Sequence, residues 1–143
     1  MALREELALT LAVTVGEAVE VGRTSTGFRR VIPILGGRVS GRLQGEVMPG
    51  GADWNTVRAD GTTHLWARYE LRTSDGSVVS VVNEAFHGPD DAPILTRPTF
   101  EVGEGGPTWL ARGYFVGVLM SATVPGQVLI DVLELTVDTG GQA

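Results

Sequence analysis

Two carboxylic acids and one arginine, Glu46, Asp53 and Arg68, are the side chains of this chain best suited to moving protons. Desolvation inside a partly apolar pocket raises the pKa of a carboxyl group, which suits a general acid or base near neutral pH. An arginine can orient a carboxylate or stabilise an enolate or phenolate oxygen. The structural alternative places Glu46 on a strand surface and lets Asp53 bind turn amides. The sequence predicts catalytic roles for all three residues, with Glu46 or Asp53 as the acid/base group.

A set of aromatic and polar residues is predicted to bind the ligand beside these groups. Trp54 directly follows Asp53 and would form a wall of the pocket. The complete predicted binding set is Trp54, Arg58, His64, Trp66, Tyr69, Phe100 and Trp109. Core packing explains the aromatic members equally well.

The residue types that the chain lacks exclude several kinds of chemistry. There is no cysteine, which excludes thiolate nucleophiles and disulfides, and all 11 basic residues are arginine, which excludes Schiff-base chemistry on lysine. Only two histidines occur, His64 and His87, and His87 with Asp90 and Asp91 makes a weak metal candidate. No serine-hydrolase elbow, P-loop or dinucleotide fingerprint is present. We therefore expect neither a metal nor a cofactor.

The segments that must position these residues have the period of β-strands. Asp60-Gly61 and Asp75-Gly76 predict type I′ hairpin turns on either side of a long alternating strand, Thr62–Ser74. About nine strands with short turns form an antiparallel meander, which avoids exposed edges by closing on itself. The predicted fold is all-β, a single antiparallel meander β-barrel of about eight to nine strands, lipocalin-like or allene-oxide-cyclase-like in shape.

The glycine-rich run Gly45–Trp54, with the sequence GEVMPGGADW, has the densest turn signal. Pro49 cannot donate to a central ladder, and strand glycines permit bends or the close approach of another group. We predict a turn at Gly36-Gly37, a strand over Arg38–Val47, and a turn at one mouth of the barrel where Gly45–Trp54 ends that strand.

The predicted site depends on which strand face lines the barrel. An apolar lining points Arg68 and Glu46 outward, whereas a lumen built for a polar small molecule places both inside. A slip of one residue exchanges these alternatives. Strand glycines favour the polar lumen, because they thin the wall opposite side chains that crowd inward. We predict that Glu46, Asp53, Trp54 and Arg68 converge on one solvent-reachable pocket.

Six runs of the chain share a recognisable pattern. They are Ile32–Gly37, Gly45–Trp54, Ala67–Thr73 through Asp75-Gly76, Pro98–Glu101, Trp109-Leu110 and Phe115–Gly117. In these runs the chain resembles the DUF3237 family, also called UPF0311, small bacterial and fungal β-barrel proteins of largely unassigned function. Leu95 and Ala111 stand where the family tends to carry Arg and Asn. The resemblance implies a β-barrel and strengthens the expectation that the Glu46, Asp53 and Trp54 group lies in a pocket.

Length and charge limit the organisation and the partners. The 143 residues predict a single β-barrel domain over residues 1–137 and a flexible C-terminal tail over 138–143. The net charge of −6 argues against nucleic acid and anionic membranes as partners. Residues 7–15 alternate strictly and follow Arg4, Glu5 and Glu6, which indicates a strand rather than a signal peptide. No apolar run reaches the ~20 residues of a membrane span. We expect a cytoplasmic protein.

Two nearly continuous apolar strands, Val78–Val82 and Tyr114–Met120, need cover on the outside of the barrel as well as inside. We therefore predict a two-fold homodimer. The expected partner is a small-molecule ligand or substrate, apolar and either aromatic or polyketide-like, handled by a cofactor-independent isomerase, cyclase or lyase. The alternatives are a non-catalytic binding barrel and a packed structural or interaction protein, and the presence of a lumen volume would argue against the packed one.

Overall fold

The computed structural model describes residues 1–140, most of which lie in ten β-strands. The elements in chain order are β1 (Ala2–Val15), β2 (Val19–Thr24), β3 (Gly27–Gly41), β4 (Gly45–Val47), β5 (Ala52–Val57), β6 (Thr63–Thr73), β7 (Val78–His87), β8 (Ile94–Val102), α1 (Thr108–Arg112), β9 (Tyr114–Ser121) and β10 (Gln127–Asp138). Within residues 1–140, no helix has the length and apolarity needed to cross a membrane.

The sheet closes into an antiparallel barrel, which confirms the predicted fold class. The strand order β1-β10-β9-β8-β7-β6-β4-β3 returns to β1 through a direct pairing of β1 with β3. β5 shares one position with β4, because both pair with β3 and β6. β2 resumes the course of β1 after a bend and pairs with the other half of β3. The wall therefore has eight strand positions.

The run Gly45–Trp54 interrupts a strand of the wall, and the predicted turn at a barrel mouth is wrong. β4 and β5 run in the same direction between the same two neighbours, so Met48–Gly51 is an insertion within the wall. Pro49 offers no N–H to the ladder, and Gly50 has a φ of 113°, which explains why pairing breaks here. The predicted long strand Arg38–Val47 is also wrong, because β3 ends at Gly41 and β4 has three residues.

The predicted turn at Gly36-Gly37 is replaced by continuous strand, since β3 runs through both residues. A Cβ atom on Gly37 would lie 2.1 Å from the carbonyl oxygen of Ala12 on β1. Glycine is needed here for close approach of the neighbouring strand, and not for a reversal of the chain.

Both Asp-Gly hairpins are present, although their turns are not type I′. Asp60-Gly61 lies between β5 and β6, and Asp75-Gly76 lies between β6 and β7. Only the glycines have positive φ, 85° at Gly61 and 92° at Gly76, whereas a type I′ turn requires positive φ at both central residues.

The inward face of β6 is apolar, and α1 covers one end of the barrel. The inward residues of β6 are Leu65, Ala67, Tyr69 and Leu71, all buried. Leu110 of α1 is 1% exposed. Sequence reasoning missed α1 because five residues are too few to show a helical period.

β10 extends to Asp138, whose carboxylate accepts a hydrogen bond from Arg4 at 2.9 Å. Residues 141–143 of the predicted flexible tail lie outside the described residues. The single-domain boundaries at 1–137 stay a prediction.

Candidate functional site

A cavity of about 280 Å³ occupies one half of the barrel. This volume lies near the lower end of the ~300–1,000 Å³ range of small-molecule pockets. Its apolar lining consists of Val13, Val15, Ile32, Ile34, Leu65, Ala67, Ile94, Leu119, Val128 and Ile130. Its polar lining, which we call the polar wall, consists of Arg30, Asp53, Asn55, Tyr69, Asn83 and His87. The polar wall comes from the adjacent strands β3, β5, β6 and β7, and it faces apolar residues of β1, β8, β9 and β10 across the lumen.

Strand register explains why Asp53 faces inward. On β5 it pairs with Ile32 of β3 and with Ala67 of β6, two residues that also line the cavity. Residues directly opposite each other on neighbouring strands point to the same face of a sheet, and residues two apart on one strand do so too. Asn55 therefore shares the inward face of β5 with Asp53.

A chain of hydrogen bonds holds the Asp53 carboxylate. Its Oδ1 accepts from the backbone N–H of Trp66 at 3.0 Å, and its Oδ2 accepts from Nδ2 of Asn55 at 3.2 Å. The Oδ1 of Asn55 in turn accepts from Nε of Arg30 at 3.0 Å. Because this bond uses only Nε, it orients the guanidinium while its two terminal nitrogens stay available for an oxygen in the cavity.

Burial raises the pKa of Asp53 above its ordinary value of 3.8. The hydrogen bonds from Trp66 and Asn55 and the positive charge of Arg30 act in the opposite direction, but desolvation is the largest of these effects. Asp53 thus exchanges a proton at a higher pH than a solvated aspartate, as an acid/base group must.

Two further members of the polar wall have buried atoms without a hydrogen-bond partner among residues 1–140. They are the hydroxyl of Tyr69 and Oδ1 of Asn83, whose side chains are 1% and 2% exposed. Burial raises the pKa of the Tyr69 hydroxyl, so it remains protonated. Thr96 also has a buried hydroxyl without a partner, but it does not line the cavity.

His87, at the end of β7, completes the polar wall. Its Nδ1 lies 3.0 Å from the carbonyl oxygen of Gly88. A carbonyl oxygen only accepts, so Nδ1 carries a proton, and in the neutral ring Nε2 has a free lone pair. His87 is therefore available as a second proton carrier at the cavity.

The structure does not bring the predicted catalytic residues together. Glu46 and Arg68 are exposed on the outer face of the barrel, and Trp54 lies half-buried on that face, while Asp53 lines the cavity. The predicted convergence of the four residues on one pocket is therefore wrong. The physical reason is that β6 turns its apolar face inward, which points alternate residues such as Arg68 outward.

Most of the predicted binding residues also lie outside the cavity. Trp54 and Trp66 contact each other on the outer face with ring centroids 5.8 Å apart. His64, also outside, pairs through Nε2 with Oε2 of Glu84 at 2.7 Å. Arg58 stacks over Phe86 on the same surface, at 5.4 Å from the ring centroid. These four predicted residues do not line the lumen.

The remaining aromatic candidates divide between the two halves of the barrel. Phe100 and Trp109 pack with Phe115 at the end closed by α1, at centroid distances of 5.3 and 6.2 Å. Tyr69 alone among the predicted binding residues lines the cavity. Leu95, where the family tends to carry Arg, is 67% exposed, so that position faces away from the lumen.

Sequence reasoning did not place four members of the polar wall in the pocket: Arg30, Asn55, Asn83 and His87, of which His87 was considered only as a weak metal candidate. Two of them carried a signal. Asn83 is a polar residue between the apolar inward residues Val81 and Ala85 of β7, and Asn55 follows Asp53 at the spacing of two that puts both on one face. No comparable sequence signal indicated that Arg30, which follows Arg29, or His87, the last residue of β7, would face the lumen. Within residues 1–140, no three His, Asp or Glu side chains are grouped so that they could hold a metal ion.

Comparison with known proteins identifies relatives over the whole barrel. The model of the family described as "Protein of unknown function (DUF3237)" matches residues 4–93. A UPF0311 protein of Rhodopseudomonas palustris is 35% identical over 93% of this chain and 97% of its own length. The crystal structure of a protein of unknown function from the same organism superposes with a TM-score of 0.84 at 34% identity, covering 95% of this chain and 99% of that one.

Two further solved structures share the barrel. A β-barrel-like protein of Acinetobacter baumannii gives a TM-score of 0.85 at 27% identity, with 95% of this chain and 98% of that chain covered. A protein described as an enzyme from Penicillium herquei gives 0.78 at 21% identity, with coverages of 95% and 96%. At that identity the likeness concerns the fold alone.

Proposed function

We propose that this chain, which belongs to the DUF3237 family, binds an apolar, aromatic or polyketide-like small molecule in its lumen and moves protons on that molecule without a cofactor. The observation that carries this proposal is Asp53, a carboxyl group with a raised pKa that lines a cavity with a largely apolar lining. An apolar ligand would displace solvent from this cavity and raise the pKa of Asp53 further.

The polar wall supplies the groups that proton transfer beside a carbonyl requires. Asp53 removes or returns the proton, and the terminal nitrogens of Arg30 stabilise the oxygen on which negative charge develops. Asn55 positions both of them through its two hydrogen bonds. His87 exchanges protons between the ligand and solvent, because its Nε2 is free to accept. Isomerisation, cyclisation and elimination all use this set of steps.

The cavity also bears on the two alternative functions. A structural or interaction protein would have a barrel filled by side chains, without a cavity. The cavity of about 280 Å³ therefore argues against that function. A non-catalytic binding barrel uses the same lumen without turnover, so it differs from the enzyme only in what Asp53 does.

Deuterium exchange into 2-tetralone, an enolisable bicyclic ketone, tests whether Asp53 moves protons. The protein is mixed with the ketone in D₂O, and NMR follows loss of the proton signals beside the carbonyl. We expect exchange above the buffer rate, and we expect Asp53→Asn to lower the protein-dependent rate by roughly 100-fold or more, as for removal of a general base. Glu46→Gln is the matched control, because it neutralises an exposed carboxylate of the outer face and should leave the rate unchanged.

The outcomes of this experiment separate the three functions. Binding of 2-tetralone without protein-dependent exchange supports the non-catalytic barrel. Absence of binding contradicts the proposed small-molecule function altogether. If the wild type and Asp53→Asn catalyse deuterium exchange at equal rates, the protein is still an enzyme, but Asp53 is not its acid/base group.

We also propose that two barrels associate as a homodimer in the cytoplasm. Large apolar side chains remain exposed on the outer faces of β7, β8 and β9, with Val78 at 43%, Leu95 at 67% and Tyr114 at 71% exposure. A second copy would cover them. Light scattering at micromolar concentration should give twice the chain mass of 15.1 kDa, and a value of 15.1 kDa would contradict the dimer. The absence of cysteine from the sequence supports the proposed cytoplasmic location.

A further inference from the structure

Two residues that line the cavity each have a buried polar atom without a partner among the described residues, the hydroxyl of Tyr69 and Oδ1 of Asn83. A buried polar group without a hydrogen bond is costly, and the great majority of such groups in folded proteins are paired. Neither atom takes part in a hydrogen bond that residues 1–140 supply. Their polarity is therefore explained best by something that enters the cavity.

Strand register places these two side chains next to each other. Tyr69 pairs with Val81, and Asn83 pairs with Ala67, so Tyr69 and Asn83 are diagonal neighbours on the inward face of β6 and β7. Diagonal neighbours in an antiparallel sheet lie ~7–8 Å apart, within reach of long side chains. Ala67, between Asn83 and Asp53 in the row across three strands, has a small side chain that leaves room for a ligand.

We infer that the ligand carries a hydroxyl group that bridges this pair, accepting a hydrogen bond from the Tyr69 hydroxyl and donating one to Oδ1 of Asn83. A hydroxyl group both donates and accepts, so a single one satisfies both atoms. A ketone, ether or carboxylate oxygen only accepts and would leave Oδ1 of Asn83 without a partner. The inference rests on the proposed function, because it names the substrate class of the same lumen as a hydroxylated apolar molecule.

The arrangement also fixes the direction in which the ligand lies. Its hydroxyl end would be held on β6 and β7, while the carbon that exchanges a proton faces Asp53 on β5, across Ala67. The apolar body would contact residues such as Leu119 and Ile130 on the opposite side of the cavity. Binding and proton transfer thus use different parts of the polar wall.

Calorimetric titration with 2-tetralol, 2-methoxytetralin and tetralin tests the inference. The alcohol both donates and accepts, the methyl ether only accepts, and the hydrocarbon does neither. We expect the wild type to bind 2-tetralol about 10-fold or more tightly than the ether, since a buried group left unpaired costs that much affinity. Asn83→Leu should reduce this preference towards parity, because it removes the acceptor that only the alcohol can use. Tyr69→Phe should instead weaken the alcohol and the ether alike, relative to tetralin, and leave the preference for the alcohol in place.

A third buried atom without a partner, the hydroxyl of Thr96, provides the matched control. Thr96→Val removes an atom that also lacks a partner but does not line the cavity, so it should leave the preference for 2-tetralol unchanged. Thermal unfolding checks that the variants are folded. Tyr69→Phe and Thr96→Val should not melt below the wild type by more than a few degrees, because each loses only an unpaired hydroxyl. The same measurement shows whether Asn83→Leu, which replaces the whole carboxamide, is folded.

The failure of this inference is distinguishable from the failure of the proposed function. If the wild type binds 2-methoxytetralin as tightly as 2-tetralol while 2-tetralone still exchanges, the hydroxyl inference is overturned and the acid/base proposal stands. The hydroxyl inference is also overturned if Thr96→Val removes the preference as strongly as Asn83→Leu does. If none of the bicyclic probes binds, both proposals are overturned.

Discussion

The two halves of the barrel are built from the same strands, yet one half is packed and the other holds the cavity. On β6, Leu71 belongs to the packed half and is 1% exposed, whereas Leu65, on the same face, lines the cavity. On β9, Phe115 and Leu119 show the same division. Alternation thus determines which side chains point inward, but it does not determine whether they meet across the lumen.

The packed half is filled by large side chains and covered by α1. Phe100 and Phe115 meet edge to face, with planes at 83°. Leu110 of α1 is buried against them, and Arg42 lies over Trp109 at 5.1 Å while binding Glu134 at 2.7 Å. The cavity half has no comparable cover of aromatic rings from the described residues, and its inward positions include Ala67 and Asn83. The polar wall lies where packing is incomplete, which is where a ligand can enter.

The largest expected effect is a difference between two identical substitutions on β6. We expect Leu71→Ala to lower the free energy of unfolding by about 4 kcal/mol and Leu65→Ala by about 2 kcal/mol, within the range for buried leucines. A new void forms around residue 71, whereas residue 65 already borders one. Chemical denaturation measures both values, and a loss at Leu65 equal to or larger than that at Leu71 would contradict the division into two halves.

Much of the fold could be predicted from the sequence because it follows from local patterns. The period of two in Thr62–Ser74 and the two Asp-Gly pairs located β6 and its hairpins. The interruption at Met48–Gly51 could not be predicted from the sequence. Proline and glycine are typical both of a turn that ends a strand and of a break within a strand, so the residue types do not distinguish the two.

The site was predicted less well, because it depends on which face of each strand is inside. Of the predicted site residues, Asp53 and Tyr69 line the cavity, whereas Glu46 and Arg68 do not. A polar lumen and an apolar lumen fit the alternation of β6 equally well. The actual lumen is mixed, because β6 turns its apolar residues inward while β5 contributes Asp53, and only the closed sheet shows this combination.

A substitution at the border of the two halves should have the next largest effect. A Cβ atom on Gly51 would lie 2.3 Å from the carbonyl oxygen of Arg68 and 2.6 Å from Cβ of Tyr69. We expect Gly51→Ala to cost about 2–3 kcal/mol of stability and to displace Tyr69. Gly50→Ala is the control, since its Cβ would meet open space and its positive φ should cost only about 1 kcal/mol. Equal losses in thermal unfolding would contradict a role of close packing at Gly51.

The smallest expected effect is a dependence of stability on pH that belongs to the cavity half. Because the pKa of Asp53 is raised by folding, the folded state holds its proton to a higher pH than the unfolded state, and ionisation costs stability as pH rises above about 3.8. Below that pH the carboxyl group is protonated in both states and contributes nothing. Asp53→Asn should therefore gain stability relative to the wild type between pH 3 and pH 7, by about 1 kcal/mol for each unit of pKa shift. A relative loss over that interval would contradict the raised pKa.

The most direct test of the account is a ¹³C NMR titration of the aspartate carboxyl carbons, with and without 2-tetralone. We predict a midpoint for Asp53 above 3.8 in the free protein and a further rise when the ketone fills the cavity. Asp75, an exposed carboxyl group whose pKa is lowered by the Thr73 hydroxyl and the Ser77 amide, is the internal control and should not respond to the ketone. A midpoint of Asp53 at or below 3.8, or one that the bound ketone leaves unchanged, would contradict a ligand-accepting cavity with Asp53 as its acid/base group.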